Sequence, residues 1–271
     1  MTQDLEGRLA VVTGSATGLG RSMAIKLAER GADVVVNYSR SEAEAEETAE
    51  AVRAVGRRAA VVGADVSVAE GCAKLVGAAA ELSGGPVDIL VNNAGITKHA
   101  KDHGDLDALS KDDFLRLYEV NVVGPFLCLQ AFKPALLAAH GATGRASAVL
   151  NTSSIAGVTG IGSSVAYAAS KGALNTMTLS LARGLAPAIR VNSICPGFIG
   201  TRWFKDAMDE EAYAEQVAAV ERQTPLRAAS GPDDIADAAL FFVSDAARHV
   251  TGELLLADAG LHLGFSPLTA R

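Results

Sequence analysis

The chain has 271 residues, of which 49% are hydrophobic and 20% charged, so it can bury a sizeable core and is too apolar for a disordered protein. Its 31 acidic residues outnumber 24 basic ones, and the net charge of −7 gives no support for a nucleic-acid partner. Three widely spaced cysteines exclude a disulfide framework, and no CxxC pair indicates zinc. No apolar run approaches the ~20 residues of a membrane span, so we expect a cytoplasmic protein without a membrane partner.

Short β-branched runs alternate with Ala-rich helical stretches. The predicted strands are residues 9–13, 34–37, 59–63, 89–92, 148–152, 190–194 and 253–256. The predicted helices are residues 21–30, 41–56 with a capping box of Ser41 and Glu44, 164–185, and a last one from Pro232 with acids in its first turn. This alternation predicts a doubly wound parallel α/β sheet covered on both faces. No linker divides the chain, so we predict one domain, residues 1–271.

The first predicted strand runs directly into a glycine-rich turn and then into a helix. The glycines are Gly14, Gly18 and Gly20. Glycines let the backbone approach a pyrophosphate closely, and the helix N-terminus offers unpaired N–H groups. A turn that serves packing alone is the alternative, but three glycines at this point of a βαβ unit favour a dinucleotide site.

Further motifs follow in a recognisable order, and the glycine spacing is GxxxGxG rather than the commoner GxGxxG. They are Asn92-Asn93-Ala94-Gly95 after the fourth strand, Asn121, Ser154, Tyr167-x-x-x-Lys171, and Pro196-Gly197 after the sixth strand. Through these motifs the chain, from about residue 8 to 263, resembles the short-chain dehydrogenase/reductase family and its 3-oxoacyl-[acyl-carrier-protein] reductase-like members. The resemblance implies a Rossmann-like sheet of seven parallel strands, NAD(P)(H), and hydride transfer at a carbonyl or alcohol carbon.

The resemblance also implies a set of cofactor-binding residues. They are Gly14, Ala16, Thr17, Gly18, Leu19, Gly20, Ser39, Arg40, Asp65, Val66, Asn93, Ala94, Gly95, Tyr167, Lys171, Pro196, Gly197, Ile199 and Thr201. Asp65 and Val66 are implied to contact the adenine, and residues 93–95 to line the adenosine ribose.

The end of the second predicted strand bears on the choice between NAD and NADP. An acid there would bind the ribose hydroxyls of NAD, whereas this chain has Asn37-Tyr38-Ser39-Arg40. Arg40 can bind a 2′-phosphate, and Ser39 can add a hydroxyl. Two points oppose this interpretation: Arg40 could be only a solvated charge, and relatives that prefer NADP often carry a basic residue in place of Thr17. We predict NADP(H) over NAD(H).

Four polar residues form the predicted catalytic set. Tyr167 and Lys171 are four apart in a predicted helix and therefore share a face, and a nearby cation would lower the tyrosine pKa from about 10. The resemblance implies that Ser154 donates a hydrogen bond to the substrate oxygen, that Lys171 also binds the nicotinamide ribose, and that Asn121 holds a relay water. Each residue alone could be a cap or an exposed helix pair, and Ser153 is the less favoured serine.

Two further segments are candidates for the substrate side. His99 and His103 lie in residues 97–107, which Gly104 and the lack of an apolar stripe predict to be a loop, so no metal is predicted and the histidines could border the pocket. Residues 200–224 mix large apolar side chains with charges, which predicts a substrate lid or an ordinary amphipathic helix.

We therefore predict an NADP(H)-dependent oxidoreductase that acts on a small-molecule carbonyl or secondary alcohol. The resemblance implies a homo-oligomer, a tetramer or dimer. The alternative is 3-oxoacyl-[acyl-carrier-protein] reduction, although residues 132–140 carry little of the positive charge that an acidic carrier protein needs for docking. A non-catalytic nucleotide-binding scaffold is the remote alternative, and the intact catalytic set argues against it.

Overall fold

Seven parallel strands form one sheet in the order β3-β2-β1-β4-β5-β6-β7, and helices cover both of its faces. The computed structural model describes residues 3–100, 102–205 and 208–264. The strands are β1 (Leu9–Val12), β2 (Asp33–Tyr38), β3 (Ala59–Gly63), β4 (Ile89–Asn92), β5 (Ser147–Thr152), β6 (Ile189–Pro196) and β7 (Leu254–Ala257). The helices are α1 (Gly18–Glu29), α2 (Glu42–Ala54), α3 (Ala69–Ser83), α4 (Lys111–Tyr118), α5 (Gly124–Thr143), α6 (Ala156–Thr159), α7 (Val165–Leu185), α8 (Arg202–Lys205), α9 (Glu210–Gln223) and α10 (Pro232–Val243).

The hydrophobic core is divided between the two faces of the sheet. Consecutive strand residues point to opposite faces, so Ala10 and Val12 of β1 pack into the cluster that includes α1 and α10. Leu9 and Val11 pack into the cluster that includes α3 and α5. The five inner strands are buried on both sides and the edge strands β3 and β7 only partly, which explains why the inner strands are apolar runs without polar alternation.

The strand order reverses between β1 and β4, which lie side by side in the middle of the sheet. The chain passes from β3 at one edge back across the sheet to β4, which pairs with β1 on the side opposite β2. Loops after β1 and β4 therefore diverge to opposite faces and leave a crevice at the carboxyl ends of these strands. Ligands of open α/β sheets bind at such a point.

All seven predicted strands are confirmed, with ends that move by at most two residues. The capping box predicted at Ser41 is wrong: Ser41 precedes α2, but its side chain caps no backbone N–H. Its proposed partner Glu44 instead pairs with Arg202, whose Nη1 lies 2.8 Å from a carboxylate oxygen. Glu44 therefore forms an ion pair with a residue distant in sequence, rather than the capping interaction that the local pattern predicted.

One expectation about apolar length is also corrected. The helical stretch Lys111–Thr143, which joins α4, a π-helical turn (Glu119–Val123) and α5, is long and apolar enough by length and composition to cross a membrane. Its inner side chains Phe132 and Leu136 are fully buried in the core beside the sheet. One side of this stretch therefore packs into the core of the domain.

The three cysteines are buried free thiols. Packing of α3 against α5 brings the Sγ atoms of Cys72 and Cys128 to 3.5 Å, although the two residues are 56 positions apart in sequence. Cys195 lies in β6.

Candidate active site

A cavity of about 860 Å³ opens at the carboxyl ends of the strands and contains the predicted site. Every predicted cofactor-binding residue lines it except Ala16. Ala16 is 5% exposed and belongs to the core, and its carbonyl accepts a hydrogen bond of 3.0 Å from the Thr48 hydroxyl of α2. The Ala16 side chain therefore faces the helix layer, and its assignment to the cofactor site stays a prediction.

The glycine turn, residues 13–20, is held in place by buried polar side chains. The Asn93 amide donates to the carbonyls of Thr13 and Gly14 at 3.0 Å each. The Thr13 hydroxyl accepts the N–H groups of Asn93 and Ala94 at 2.9 and 3.0 Å. The Asn37 side chain accepts the Gly14 N–H at 3.0 Å. Hydrogen bonds from β2 and from the β4 loop therefore fix the turn before any ligand binds.

The shape of this turn fits a dinucleotide. Gly14 has φ +59°, and a Cβ there would lie 2.9 Å from the Ala94 Cα. A Cβ on Gly20 would lie 2.3 Å from the Gly14 carbonyl oxygen. No side chain larger than hydrogen fits at either position, so the backbone stays bare beside the N-terminus of α1. Bare backbone at a helix N-terminus is what a pyrophosphate requires.

Polar and charged side chains mark the adenosine end of the cavity. The Asp65 carboxylate accepts both the N–H and the hydroxyl of Ser67, at 2.9 and 2.6 Å. These hydrogen bonds hold the pKa of Asp65 below its ordinary value, and Arg116 and Arg40 lower it further. Arg40 is exposed at the end of β2 and lines the cavity. This end therefore carries one fixed carboxylate and two guanidinium groups.

Tyr167, Ser154 and Lys171 come together at the opposite end. The side chain of Ser154, which follows β5, hydrogen-bonds to Tyr167 on α7. The Lys171 ammonium lies 5.7 Å from the centre of the Tyr167 ring, one turn along α7, and donates to the Thr152 carbonyl at 2.8 Å. The hydroxyls of Ser154 and Tyr167 and the ammonium of Lys171 therefore lie together in one corner of the cavity, the catalytic corner.

The electrostatics of this corner differ from the sequence-based expectation. Burial raises the pKa of Tyr167 to about 12, and the hydrogen bond from Ser154 offsets only part of that rise. Burial also lowers the pKa of Lys171 to about 8, since the side chain is 4% exposed. The predicted lowering of the tyrosine pKa is thus wrong here, because desolvation of the buried hydroxyl raises the pKa by more than its hydrogen bond with Ser154 lowers it.

Asn121 is fully buried in the π-helical turn behind this corner. Its amide donates to the Ile96 carbonyl and to the Ser170 hydroxyl, both at 3.0 Å, and its oxygen accepts the Ile96 N–H at 2.9 Å. Because both amide protons are used, Asn121 can serve a relay water only through its oxygen acceptors. Ser153 is likewise engaged, since its hydroxyl donates to the Lys171 carbonyl at 3.1 Å.

The two histidines have different surroundings. His99 is exposed and lines the cavity, whereas the Nε2 atom of His103 lies 3.0 Å from the Gly162 carbonyl oxygen. Residues 97–107 form the predicted loop apart from a 3₁₀ turn (Leu106–Ala108), with residue 101 outside the described part. Within the described residues no group of three metal-ligating side chains is assembled.

The predicted lid, residues 200–224, consists of α8 and α9, and residues 206 and 207 lie outside the described part. The Trp203 ring of α8 meets the Tyr167 ring edge to face, with centroids 6.3 Å apart. The Tyr213 ring of α9 lies 6.5 Å from that of Phe198, which follows β6. Both helices thus form a wall of the cavity next to the hydroxyl pair.

Several residues of the site were missed from sequence. Thr13 and Asn37 position the glycine turn, and the signal that could have found them is a polar residue at the end of a buried apolar strand. Arg116, Gln216 and Gln223 line the cavity from exposed helix positions, and the sequence carries no signal that separates them from ordinary solvated side chains.

Comparisons with known proteins agree with this geometry. A family model described as enoyl-(acyl carrier protein) reductase matches residues 14–262. Glucose 1-dehydrogenase 2 of Bacillus subtilis is 36% identical over 265 residues, which cover 97% of this chain and 98% of the relative. A protein described as ketoacyl reductase 2 of the granaticin polyketide synthase, from Streptomyces violaceoruber, is 39% identical over 258 residues, 95% of this chain and 97% of the relative. A crystal structure described as a short-chain dehydrogenase/reductase from Burkholderia xenovorans superimposes with a TM-score of 0.86 at 36% identity and covers 95% of this chain and 98% of that one.

Proposed function

Because the chain belongs to the short-chain dehydrogenase/reductase family of NAD(P)-dependent oxidoreductases, we propose that it interconverts a small-molecule carbonyl and its secondary alcohol with NADP(H). The observation that carries this proposal is the convergence of Ser154, Tyr167 and Lys171 in the cavity that also contains the glycine turn. When bound, the nicotinamide ring supplies or accepts the hydride.

The side chains divide the remaining work between them. Ser154 donates a hydrogen bond to the substrate oxygen and holds it beside Tyr167. In reduction the Tyr167 hydroxyl gives its proton to that oxygen, and in oxidation it takes the proton back. A pKa near 12 keeps the hydroxyl protonated at neutral pH, so the ligand-free chain is set for reduction. Lys171, with a pKa near 8, can return a proton to the tyrosine at physiological pH.

Asn121 has a positioning role in this scheme. Its hydrogen bonds to Ile96 and Ser170 fix the loop after β4 against α7, the helix that carries Tyr167. Its remaining oxygen acceptors could hold the relay water that connects Lys171 to solvent. The proposed catalytic set is therefore Asn121, Ser154, Tyr167 and Lys171.

The direct test of this function is the change in NADPH absorbance on mixing the enzyme with a panel of ketones, 3-oxoacyl thioesters and imines. We expect turnover of at least one carbonyl compound and its loss in Tyr167→Phe. Binding of NADPH without turnover of any substrate would instead favour a non-catalytic nucleotide-binding scaffold.

The preference for NADP(H) rests on the end of β2. No acid stands at Asn37 to Arg40, and Glu42, the next acid along the chain, is hydrogen-bonded to the Tyr38 hydroxyl. Arg40 makes no hydrogen bond within the described residues, so it is available to a 2′-phosphate. We expect Arg40→Ala to lower kcat/KM for NADPH about ten- to a hundredfold relative to NADH. Arg53→Ala, at an exposed position of α2 outside the cavity, is the control; equal losses for both cofactors would contradict the preference.

Reduction of 3-oxoacyl groups on an acyl carrier protein is the second candidate. The description of the matching family model and the name of the granaticin relative favour it. Against it stands the scarcity of basic residues in 132–140 for docking an acidic carrier. Equal kcat/KM for a carrier-bound and a free pantetheine thioester would indicate that no carrier surface is recognised.

We further propose a cytoplasmic homo-oligomer, most simply a tetramer. Phe126 and Leu137 on α5 and Leu179 on α7 are each at least 40% exposed, and apolar side chains of this size are commonly covered by another subunit. Light scattering of the purified protein tests the assembly.

The closing of residues 200–224 over substrate stays a prediction.

A further inference from the structure

Trp203 occupies an unusual place for a large apolar side chain. It is 39% exposed, and its ring stands edge to face with that of Tyr167 while it lines the cavity. Its backbone neighbourhood is anchored: the Arg202 guanidinium pairs with Glu44, and Thr201 lies against Gly18 of the glycine turn. Any substrate whose reacting carbon reaches Tyr167 must therefore lie beside the Trp203 ring.

The adjoining wall is built from one face of α9. Tyr213, Gln216, Val220 and Gln223 follow one another at intervals of three, four and three residues, so they share a face. Tyr213 packs on Phe198, which turns that face toward the cavity, and the other three residues line the cavity. The amides of Gln216 and Gln223 are exposed and have no hydrogen-bond partner in the part of the chain that the structure describes. They offer two donors and one acceptor group each.

The charged groups that line the cavity are paired with carboxylates or lie away from Trp203. Arg202 is paired with Glu44 on α2, and Arg116 with Glu119 and Asp65. Lys171 lies beneath Tyr167, and Arg40 stands at the adenosine end. The charged neighbours of the amides, Glu215 and Arg222, pair with each other at 2.7 Å. The wall around Trp203 thus offers an aromatic surface and neutral amides, without a charge for an ionic substrate.

We propose that the substrate is a neutral cyclic polyhydroxy compound of the aldopyranose type, an inference that rests on the proposed function. The apolar face of such a ring lies on Trp203, where it buries carbon-bound hydrogens against an aromatic surface. Its hydroxyl groups both donate and accept, which matches the amides of Gln216 and Gln223. The hydroxyl at the reacting carbon meets Ser154 and Tyr167. Trp203, Gln216 and Gln223 are therefore specificity-determining residues.

Other substrate shapes use this wall less well. A fused alicyclic ring system would cover Trp203 but leave both amides facing carbon, without a hydrogen-bond partner on the substrate. A carboxylate or phosphate ester would find no free cation beside Trp203 among the described residues. A long acyl chain would leave the same amides without partners.

The experiment compares substrates that differ in the features that the wall recognises. The enzyme, saturated with NADP⁺ or NAD⁺, is assayed in the oxidative direction with glucose, galactose and rhamnose, with cyclohexanol as a six-membered carbocyclic alcohol without further hydroxyls, and with a 3-hydroxysteroid. A 3-oxoacyl pantetheine thioester is assayed in the reductive direction with NADPH. We expect kcat/KM for at least one aldopyranose to exceed that for cyclohexanol about a hundredfold, the equivalent of two or three hydrogen bonds.

Variants then assign the effect to residues. Gln216→Leu and Gln223→Leu should each lower kcat/KM for the aldopyranose about tenfold, mainly through KM, a larger loss than either variant causes for cyclohexanol. Gln130→Leu, an exposed glutamine of α5 outside the cavity, is the matched control. Trp203→Ala should weaken both ring substrates, and Trp203→Phe should recover most of the loss.

Two results would overturn the inference in different ways. Turnover of the steroid, the thioester or cyclohexanol at a higher kcat/KM than any aldopyranose would overturn the substrate class and leave the oxidoreductase function in place. Absence of turnover with every compound, together with tight NADPH binding, would overturn the proposed function itself. Aldopyranose turnover that is insensitive to both glutamine variants would remove Gln216 and Gln223 from substrate recognition.

Discussion

The two walls of the cavity are built in opposite ways. The glycine turn, residues 13–20, is held by hydrogen bonds from Thr13, Asn37 and Asn93, and its backbone has no room for a Cβ at Gly14 or Gly20. The substrate wall, residues 200–224, consists of two helices whose cavity-lining side chains are largely exposed. The part of the ligand that is constant in the family meets rigid backbone, whereas the part that varies meets side chains that can be exchanged without disturbing the fold.

Tyr167 lies between the glycine turn and the substrate wall. Its hydroxyl is the group proposed to exchange a proton with the substrate oxygen. Tyr167→Phe keeps the ring contact with Trp203 but removes the only proton donor of its kind in that corner. We expect kcat to fall about 10²–10⁴-fold, with the dissociation constant of NADPH changed less than about threefold. Tyr118→Phe, outside the cavity, is the control. A loss of cofactor binding as large as the loss of rate would mean that Tyr167 serves the fold rather than the chemistry.

The contrast in rigidity can be tested with the same substitution on each wall. A methyl group at Gly20 would collide with the Gly14 carbonyl, whereas the one close contact of a methyl group at Gly200, at 2.8 Å, would be with the Tyr213 hydroxyl, the far end of a side chain that can move. We expect Gly20→Ala to weaken NADPH binding about ten- to a hundredfold, the cost of 1–3 kcal/mol of overpacking. Gly200→Ala should leave NADPH binding within about twofold. Calorimetric titration measures both, and equal effects would contradict the difference between the walls.

Burial of the charged Lys171 side chain lowers the free energy of unfolding, because the ammonium group loses contact with water. Its pKa is about 8 when folded against an ordinary 10.5, so between these pH values the unfolded chain holds a proton that the folded chain lacks. The contribution of Lys171 to the free energy of unfolding is therefore lowest below pH 8 and rises as pH approaches 10.5. The shift corresponds to about 3 kcal/mol, and loss of the Thr152 hydrogen bond offsets about 1 kcal/mol.

We accordingly expect Lys171→Met to raise the free energy of unfolding by about 2 kcal/mol at pH 7 and to lose that advantage above pH 10.5. Urea titrations at both pH values measure the difference. Lys133→Met, at an exposed position of α5, is the control and should change little at either pH. A gain of equal size at both pH values would show that the effect comes from packing and not from the buried charge.

The smallest effect is expected where the two walls are joined by exposed charges. The Arg202–Glu44 pair links α8 to α2, but its side chains are 49% and 34% exposed, so solvent screens their attraction. Glu44→Gln should therefore change the substrate and cofactor KM values by less than about fivefold, and added salt should reduce the change. Glu47→Gln, which removes another exposed pair on α2, serves for comparison. A change of a hundredfold would make the pair a structural requirement.

The difference between the glycine turn and the substrate wall also explains which parts of the structure could be predicted from the sequence. The strands and the glycine turn were predictable because they depend on local patterns: apolar runs of fixed length and glycines at positions without room for a Cβ. The catalytic set of Ser154, Tyr167 and Lys171 was predicted from the resemblance of the motif order to the short-chain dehydrogenase/reductase family. The catalytic corner confirms their proximity, while their roles await the experiments above.

Three-dimensional packing determined what the sequence could not predict. Glu44 was expected to cap α2, but Arg202, 158 residues away, binds it instead. The Tyr167 pKa was expected to fall, because its neighbour in sequence is a cation, but the low polarity of the corner raises it. Gln216 and Gln223 have the pattern of any solvated helix face, and only the docking of α9 shows that they line the cavity.

The most direct test of the central claim follows the hydride itself. The enzyme is incubated with NADPH that carries deuterium at the transferable C4 position and with a ketone substrate, and the product alcohol is analysed by mass spectrometry and NMR. We predict one deuterium at the carbinol carbon with the parent chain and none above background with Tyr167→Phe. Product without deuterium at that carbon, or deuterium transfer that Tyr167→Phe leaves undiminished, would contradict hydride transfer assisted by Tyr167 in this cavity.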